Sequence, residues 1–286
     1  MDVRTSGWIN GFLGVLIFSG SLPATRVAVA DFDPVFLTAA RASIAGAMAL
    51  VLLIGLRAPR PERGDLGSLA IIGLGVVVGF PLLTALALQH ITSAHSIVFI
   101  GLLPLATAIF AVVRGGERPK PSFWLFACVG AVLVAGFALT RGAEASALGD
   151  SLMIAAVIVC GLGYAEGGKL SRRLGGWQVI CWALAMALPL MLPIGWMVKP
   201  DTLAGVGGPA WLGLAYVSLF SMLIGFIFWY RGLAEGGVAA VGQLQLLQPF
   251  FGLALAAAVL HEPVGWPMAA VTAAIVVCVA GAKRFA

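Results

Sequence analysis

Apolar residues run along this chain in long blocks, and the charged and turn-forming residues between them recur at intervals suited to crossing a bilayer. A spanning helix needs about 20 mostly apolar residues. The blocks predict ten such helices, near 7–29, 34–56, 66–87, 92–113, 122–140, 149–168, 177–198, 209–230, 237–260 and 265–282. Turn chemistry marks several ends. Asp33-Pro34 supplies an N-cap and a first-turn proline to the second helix, and the run from Arg57 to Pro61 stops it. Almost nothing is left over for a soluble domain, so the expected class is an all-α integral membrane protein.

The pattern also repeats. Leu88 with Leu233, Ala94 with Ala239, Pro104 with Pro249, Glu117 with Glu262 and Gly136 with Gly281 align at a constant offset of 145 residues. Duplication of a hydrophobic unit is how many transporters build two halves around a central site. The halves read as residues 1–141 and 149–286, tethered by the short polar stretch between Arg141 and Asp150. Five spans is an odd number, so the two halves enter the membrane in opposite senses. The architecture expected is ten transmembrane helices, a five-plus-five inverted repeat, around a central cavity.

Charge fixes an orientation. Counted over alternate loops from an inside N-terminus, thirteen basic residues, from Arg4 through Arg57, Arg114, Arg172 and Arg231 to Arg284, fall on one side and only Arg141 and Lys199 on the other. That asymmetry follows the positive-inside rule. It places both termini in the cytoplasm and accounts for the net charge of +5 without a nucleic-acid partner. Composition agrees with a bilayer, since 61% of residues are hydrophobic, 10% are charged and the mean hydropathy is +1.05. Residues 8–30 resemble a signal peptide ending in Ala28-Val29-Ala30, but the stretch is longer than a typical h-region and the repeat needs it as its first helix. Cys128, Cys160, Cys181 and Cys278 fall inside spans without C-x-x-C spacing and read as structural thiols.

Enzymatic and metal chemistry finds little support. Gly163 to Lys169 has phosphate-loop spacing, but Leu170 stands where the magnesium-binding hydroxyl belongs and no strand precedes it. His90, His95 and His261 sit at helix ends with no H-E-x-x-H, and no nucleophile elbow occurs, so no catalytic residue, metal or cofactor is expected. The G-x-x-x-G spacings at Gly75 to Gly79 and Gly163 to Gly167 allow close helix approach, read first as packing within the chain; a monomer is possible.

Charge and polarity at membrane depth point to function. Arg26, Arg41 and Glu166 are the charged residues within spans, none of them central. Arg41 reads either as a snorkelling or helix-pairing arginine, with Asp31 or Asp33 in reach, or as a receptor for a substrate carboxylate. Glu166 is expected near Lys169 and Arg172. In the ninth helix Gln245 and Gln248 share one face before Pro249, with Gln243 turned away. Pro104 and Pro249 each remove a backbone hydrogen bond and release the carbonyls of Ile100 and Gln245, for a substrate ammonium or simply as hinges. Together with Ser21, Thr84, Phe99, Tyr164, Ser221 and Trp229, these residues describe a polar, aromatic cavity near the midplane, suited to a zwitterionic or neutral metabolite.

Ten spans in an inverted repeat, Pro34 with Arg41, Gly149-Asp150 opening the second half, then Leu233, Ala239, Pro249, Glu262 and Gly281, resemble the EamA-type branch of the drug/metabolite transporter superfamily. Within it the chain looks most like the bacterial aromatic amino acid exporters. The resemblance implies an inner-membrane exporter with helices 1, 3, 4, 6, 8 and 9 around a central cavity. The reading taken forward is export of aromatic and other neutral amino acids by alternating access, through rocking of the two repeats. Gln245 and Gln248 would hold the polar group, Phe99, Tyr164 and Trp229 the side chain, and Pro104 and Pro249 would bend. The lack of a mid-membrane carboxylate suggests movement down a gradient without obligatory proton coupling. Another metabolite or drug carried by the same fold (a purine, vitamin, sugar or cationic compound) is the nearest alternative, and a channel or an intramembrane enzyme follows.

Overall fold

The computed structural model describes residues 2–91, 93–140, 146–252, 254 and 266–286. Among these, regular structure is entirely helical. In chain order the α-helices are α1 (Val3–Phe18), α2 (Ser21–Ala28), α3 (Pro34–Gly55), α4 (Leu66–Ile72), α5 (Phe80–Ala87), α6 (Ser93–Ile100), α7 (Leu103–Gly115) and α8 (Pro121–Leu139). They continue as α9 (Ala147–Leu174), α10 (Gly176–Met197), α11 (Gly208–Ala215), α12 (Gly225–Gly236), α13 (Val238–Gly242) and α14 (Trp266–Phe285). Six continuous helical stretches among the described residues are long and apolar enough to cross a membrane: Val3–Ala28, Pro34–Gly55, Arg63–Ala87, Ala147–Leu174, Gly176–Met197 and Gly208–Gly236. Large apolar side chains also face outward. Ile54, Val113, Val132 and Leu212 are 75%, 70%, 69% and 74% exposed, a surface that water disfavours and lipid does not.

Local chemistry explains the helix ends. The Asp33 carboxylate accepts from the backbone N–H groups of Val35 and Phe36 at 2.8 and 3.0 Å, and Pro34 follows in the first turn of α3. The phosphate-loop lookalike lies wholly within α9. Two spans are wound wider than an α-helix. Gly73–Gly79 joins α4 to α5 as π-helix, and Tyr216–Ile224 joins α11 to α12 in the same way. Their last residues, Gly79 and Ile224, stand at the same 145-residue offset as the sequence repeat. Such wide turns concentrate at functional sites.

The fourth and ninth windows differ from expectation. The fourth is not one bent helix: α6 ends at Ile100, the chain turns at Gly101-Leu102, and Pro104 sits in the first turn of α7. The proline therefore starts a helix, where its missing N–H is no loss. In the ninth, α13 tightens to a 3-10 helix over Gln243–Leu247. That tightening gives the Gln245 carbonyl to the N–H of Gln248, so Pro249 does not leave it free. His261, Glu262, Arg141 and Glu144 lie outside the described residues.

The principal packing pairs join the two sequence halves. α1 lies along α12, α3 along α10, α8 along α14, and both α5 and α7 along α9. Glycine permits the closest of these approaches. A Cβ on Gly232 would meet the Gly11 backbone nitrogen at 2.5 Å, and one on Gly75 would meet the Val159 carbonyl oxygen at 2.5 Å, with Gly163 beside it. The two G-x-x-x-G spacings thus serve helix packing within the chain. Gly232→Val should destabilise the fold by about 2 kcal/mol or more, in the range of overpacked interiors. Gly136→Ala, with nothing within 4 Å of the new methyl, should be silent. Thermal unfolding of the detergent-solubilised protein, followed by size-exclusion chromatography, measures both.

Candidate functional site

A cavity opens where the irregular segments converge. It is lined by Phe18, Ser21, Leu22 and Thr25 around the α1–α2 junction, Arg41 of α3, Val76, Phe80, Pro81 and Thr84 of the first wide-wound span, and Ile100 and Leu103 flanking the α6–α7 turn. Tyr164 of α9, Ser221 and Phe226 of the second wide-wound span, and Gln248 complete it. Its volume is about 40 Å³, room for on the order of three waters.

The junction between α1 and α2 is a break at Ser19-Gly20, and polar groups from the other half satisfy it. Tyr216 donates its hydroxyl to the Ile17 carbonyl at 2.6 Å, and the Gln248 amide donates to the Phe18 carbonyl at 3.3 Å. Gly20 is required there, because a Cβ would meet the Tyr216 hydroxyl oxygen at 2.5 Å. Ser21 donates to Ser221 Oγ at 2.8 Å, and Arg41 Nη2 approaches the same oxygen at 3.4 Å.

Arg41 is the charged residue of this cavity. It is only 6% exposed, its Nε has no partner, and no carboxylate among the described residues pairs with it. Asp33 is occupied in capping α3, and Asp31 accepts from the Gly207 N–H at 2.9 Å, so neither sequence-predicted partner reaches the guanidinium. Thr84 Oγ1, buried on the same cavity, is likewise unpartnered. The same lining includes an aromatic cluster: the Phe18 and Phe226 rings lie 5.0 Å apart and the Tyr164 and Phe226 rings 5.9 Å apart.

Of the residues singled out from sequence, Ser21, Arg41, Thr84, Tyr164, Ser221 and Gln248 line this cavity, whereas Gln245, Phe99 and Trp229 do not. Trp229 is fully buried behind it, its ring 6.1 Å from that of Phe18 and 5.4 Å from that of Tyr164. Phe99 packs edge-on against His95. Gln245 is 1% exposed with neither amide atom partnered. Gln243, expected to point away, is buried and reaches the Pro104 carbonyl at 3.5 Å. Phe18, Phe80 and Phe226 escaped sequence reasoning, since one more phenylalanine in an apolar span carries no signal of its own.

The arginine-rich end holds a second, wider space of about 570 Å³, walled by Asp2, Arg4, Glu117, Arg172, Glu235 and neighbouring residues. Among its charged side chains Glu117, Arg172 and Glu235 are paired. Glu117 accepts from the backbone N–H groups of Val238 and Ala239, each at 2.9 Å, and from Arg172 at 2.5 Å. A left-handed Gly237 turns the chain so that those two N–H groups begin α13. Nearby, Glu166 is fully buried and takes Arg114 at 2.5 Å and Ser68 at 2.8 Å, in place of the expected Lys169 and Arg172. Arg173 pairs with Glu62 and Asp65. Side chains of the two halves are bonded to one another at this end.

The sequence matches the EamA-like transporter family over residues 5–139 and again over 147–282. The chain belongs to that family. It is 67% identical over its whole length, and the relative's, to the uncharacterized transporter YdeK of Bacillus subtilis (strain 168). It is 27% identical over 243 residues, 83% of this chain and 80% of the other, to a probable terminal-alkyne amino-acid exporter of Streptantibioticus cattleyicolor. A crystal structure 22% identical in sequence superposes with a TM-score of 0.79, covering 99% of this chain and 100% of that one, a likeness of fold. The protein is therefore a multi-pass membrane transporter.

Gln245 offers a separate test of the geometry. A buried amide without partners costs about 1–3 kcal/mol, so Gln245→Leu should raise the midpoint of thermal unfolding. A lowered midpoint would mean that the amide is held by a partner in the working protein.

Proposed function

We propose that this family member exports small neutral metabolites, foremost aromatic and other neutral amino acids, across the bacterial plasma membrane by alternating access. The observation that carries the reading is the cavity itself, whose lining combines Arg41, Thr84, Ser21 and Ser221 with the clustered rings of Phe18, Tyr164 and Phe226. That combination suits a molecule with one compact polar end and one flat apolar end. The amino-acid exporter among the relatives supports the same substrate class.

The architecture proposed is ten membrane helices in a five-plus-five inverted repeat, with halves 1–141 and 149–286 and both termini in the cytoplasm. The paired wide-wound spans and the double family match support the repeat. The positive-inside asymmetry supports the orientation. On that orientation, Pro34 and Arg41 lie toward the outer face, and the Glu117 cluster seals the inner one. Because helix pairs cross between halves, the bodies that rock are mixed: α1 with α12 in one, and α5 and α7 with α9 in the other.

Counterflow in liposomes containing only the purified protein tests transport. Saturable exchange of labelled phenylalanine, tyrosine or tryptophan is expected, and its absence from folded protein for every amino acid would overturn the substrate class. Glu117→Ala should loosen the inner seal. A cysteine placed by Ala240→Cys, in a Cys128→Ser background, should then react several-fold faster with a maleimide than it does with Glu117 intact. An unchanged rate would remove Glu117 as a gate.

A further inference from the structure

We propose that Arg41 is the docking point for a carboxylate on the transported molecule, so that the protein selects monocarboxylates over the amines that share their side chains. This rests on the cavity being the transport site. Among the described residues the guanidinium, 6% exposed, has no carboxylate partner, its Nε has no acceptor, and its one hydrogen bond, to Ser221, is long at 3.4 Å. Isolated burial of a cation is unfavourable by several kcal/mol, and such groups in membrane proteins mark ligand paths. A planar fork of N–H donors matches a carboxylate in bidentate geometry. The Thr84 hydroxyl, also buried and unpartnered on this cavity, supplies a further donor.

Charge balance sets the class. Among the described residues no acidic side chain lines the cavity, so one fixed positive charge calls for one negative charge. A monocarboxylate or a zwitterion meets that demand, a phosphate dianion overshoots it, and a purely cationic compound meets repulsion. The cationic-drug alternative is accordingly disfavoured, while amino acids and simple organic acids are retained.

The test uses three probes that share an indole: L-tryptophan, with carboxylate and ammonium; indole-3-propionate, with the carboxylate alone; and tryptamine, with the ammonium alone. Binding is read as the ligand-induced rise in unfolding temperature of the purified full-length protein, independently of transport. Tryptophan and indole-3-propionate should stabilise the wild-type protein at concentrations at least tenfold below any effect of tryptamine. Arg41→Gln should abolish the carboxylate preference, and Arg41→Lys should keep it with weakened affinity. Equal stabilisation by tryptamine, or none by either carboxylate, overturns the assignment in the wild-type protein, whether or not a variant folds. Carboxylate-dependent stabilisation without amino acid counterflow would leave Arg41's role standing and remove the amino-acid reading. Counterflow of tryptophan with tryptamine equally effective would do the reverse.

Discussion

A helix that breaks inside a bilayer must pass its freed carbonyls to partners within the protein, because no water is at hand to take them. The site of this transporter is organised by that constraint. Breaking α1 from α2 at Ser19-Gly20 exposes the last carbonyls of α1, and Tyr216 and Gln248, both from the second half, take those of Ile17 and Phe18. Gln243 reaches the Pro104 carbonyl just beyond the α6–α7 turn. Each such bond draws a segment of one half against a segment of the other. The cavity is the space left where these irregular segments meet and ordinary ridge-and-groove packing does not reach.

The same interlocking shapes what can move. α1 is tied to α12 through glycine faces that bring backbones together, and α5 and α7 are tied to α9. A rigid rotation of one sequence half against the other would tear both interfaces. Motion between mixed bundles leaves them intact and concentrates change at the softer contacts: the cavity walls and the polar seal around Glu117. That seal is well placed to be reversible. Glu117 satisfies two N–H groups at the start of α13 that have no side-chain cap of their own segment, and at a wet end water can substitute for it.

Membrane class and the approximate extents of six of the ten windows were legible in sequence because each depends on composition summed over many positions. The site was legible only in part, for local reasons. Pro104 has the same letter whether it kinks a helix or begins one, and only the turn at Gly101-Leu102 separates the two. A helical wheel drawn at 3.6 residues per turn fails across Gln243–Leu247, wound at about three residues per turn; Gln243 accordingly turned up in a polar contact that the wheel denied it, and Gln245 off the cavity. The π-wound turns in the third and eighth windows left no trace in the apolar pattern. Arg41 stood out as a charge within a span, but its lack of a partner became visible only when Asp31 and Asp33 were found engaged elsewhere.

That lack links structure to transport. A carrier must cross a closed state in which its site is cut off from both solutions, and the cavity around Arg41 is already small, about 40 Å³. With the guanidinium alone in that space, closure strands a charge in a low-dielectric interior. A bound carboxylate cancels the charge and supplies the acceptors that Arg41 and Thr84 lack, so the loaded carrier closes at lower energy than the empty one. On the proposed docking of a carboxylate at Arg41, selection by that group would therefore act on the crossing step itself.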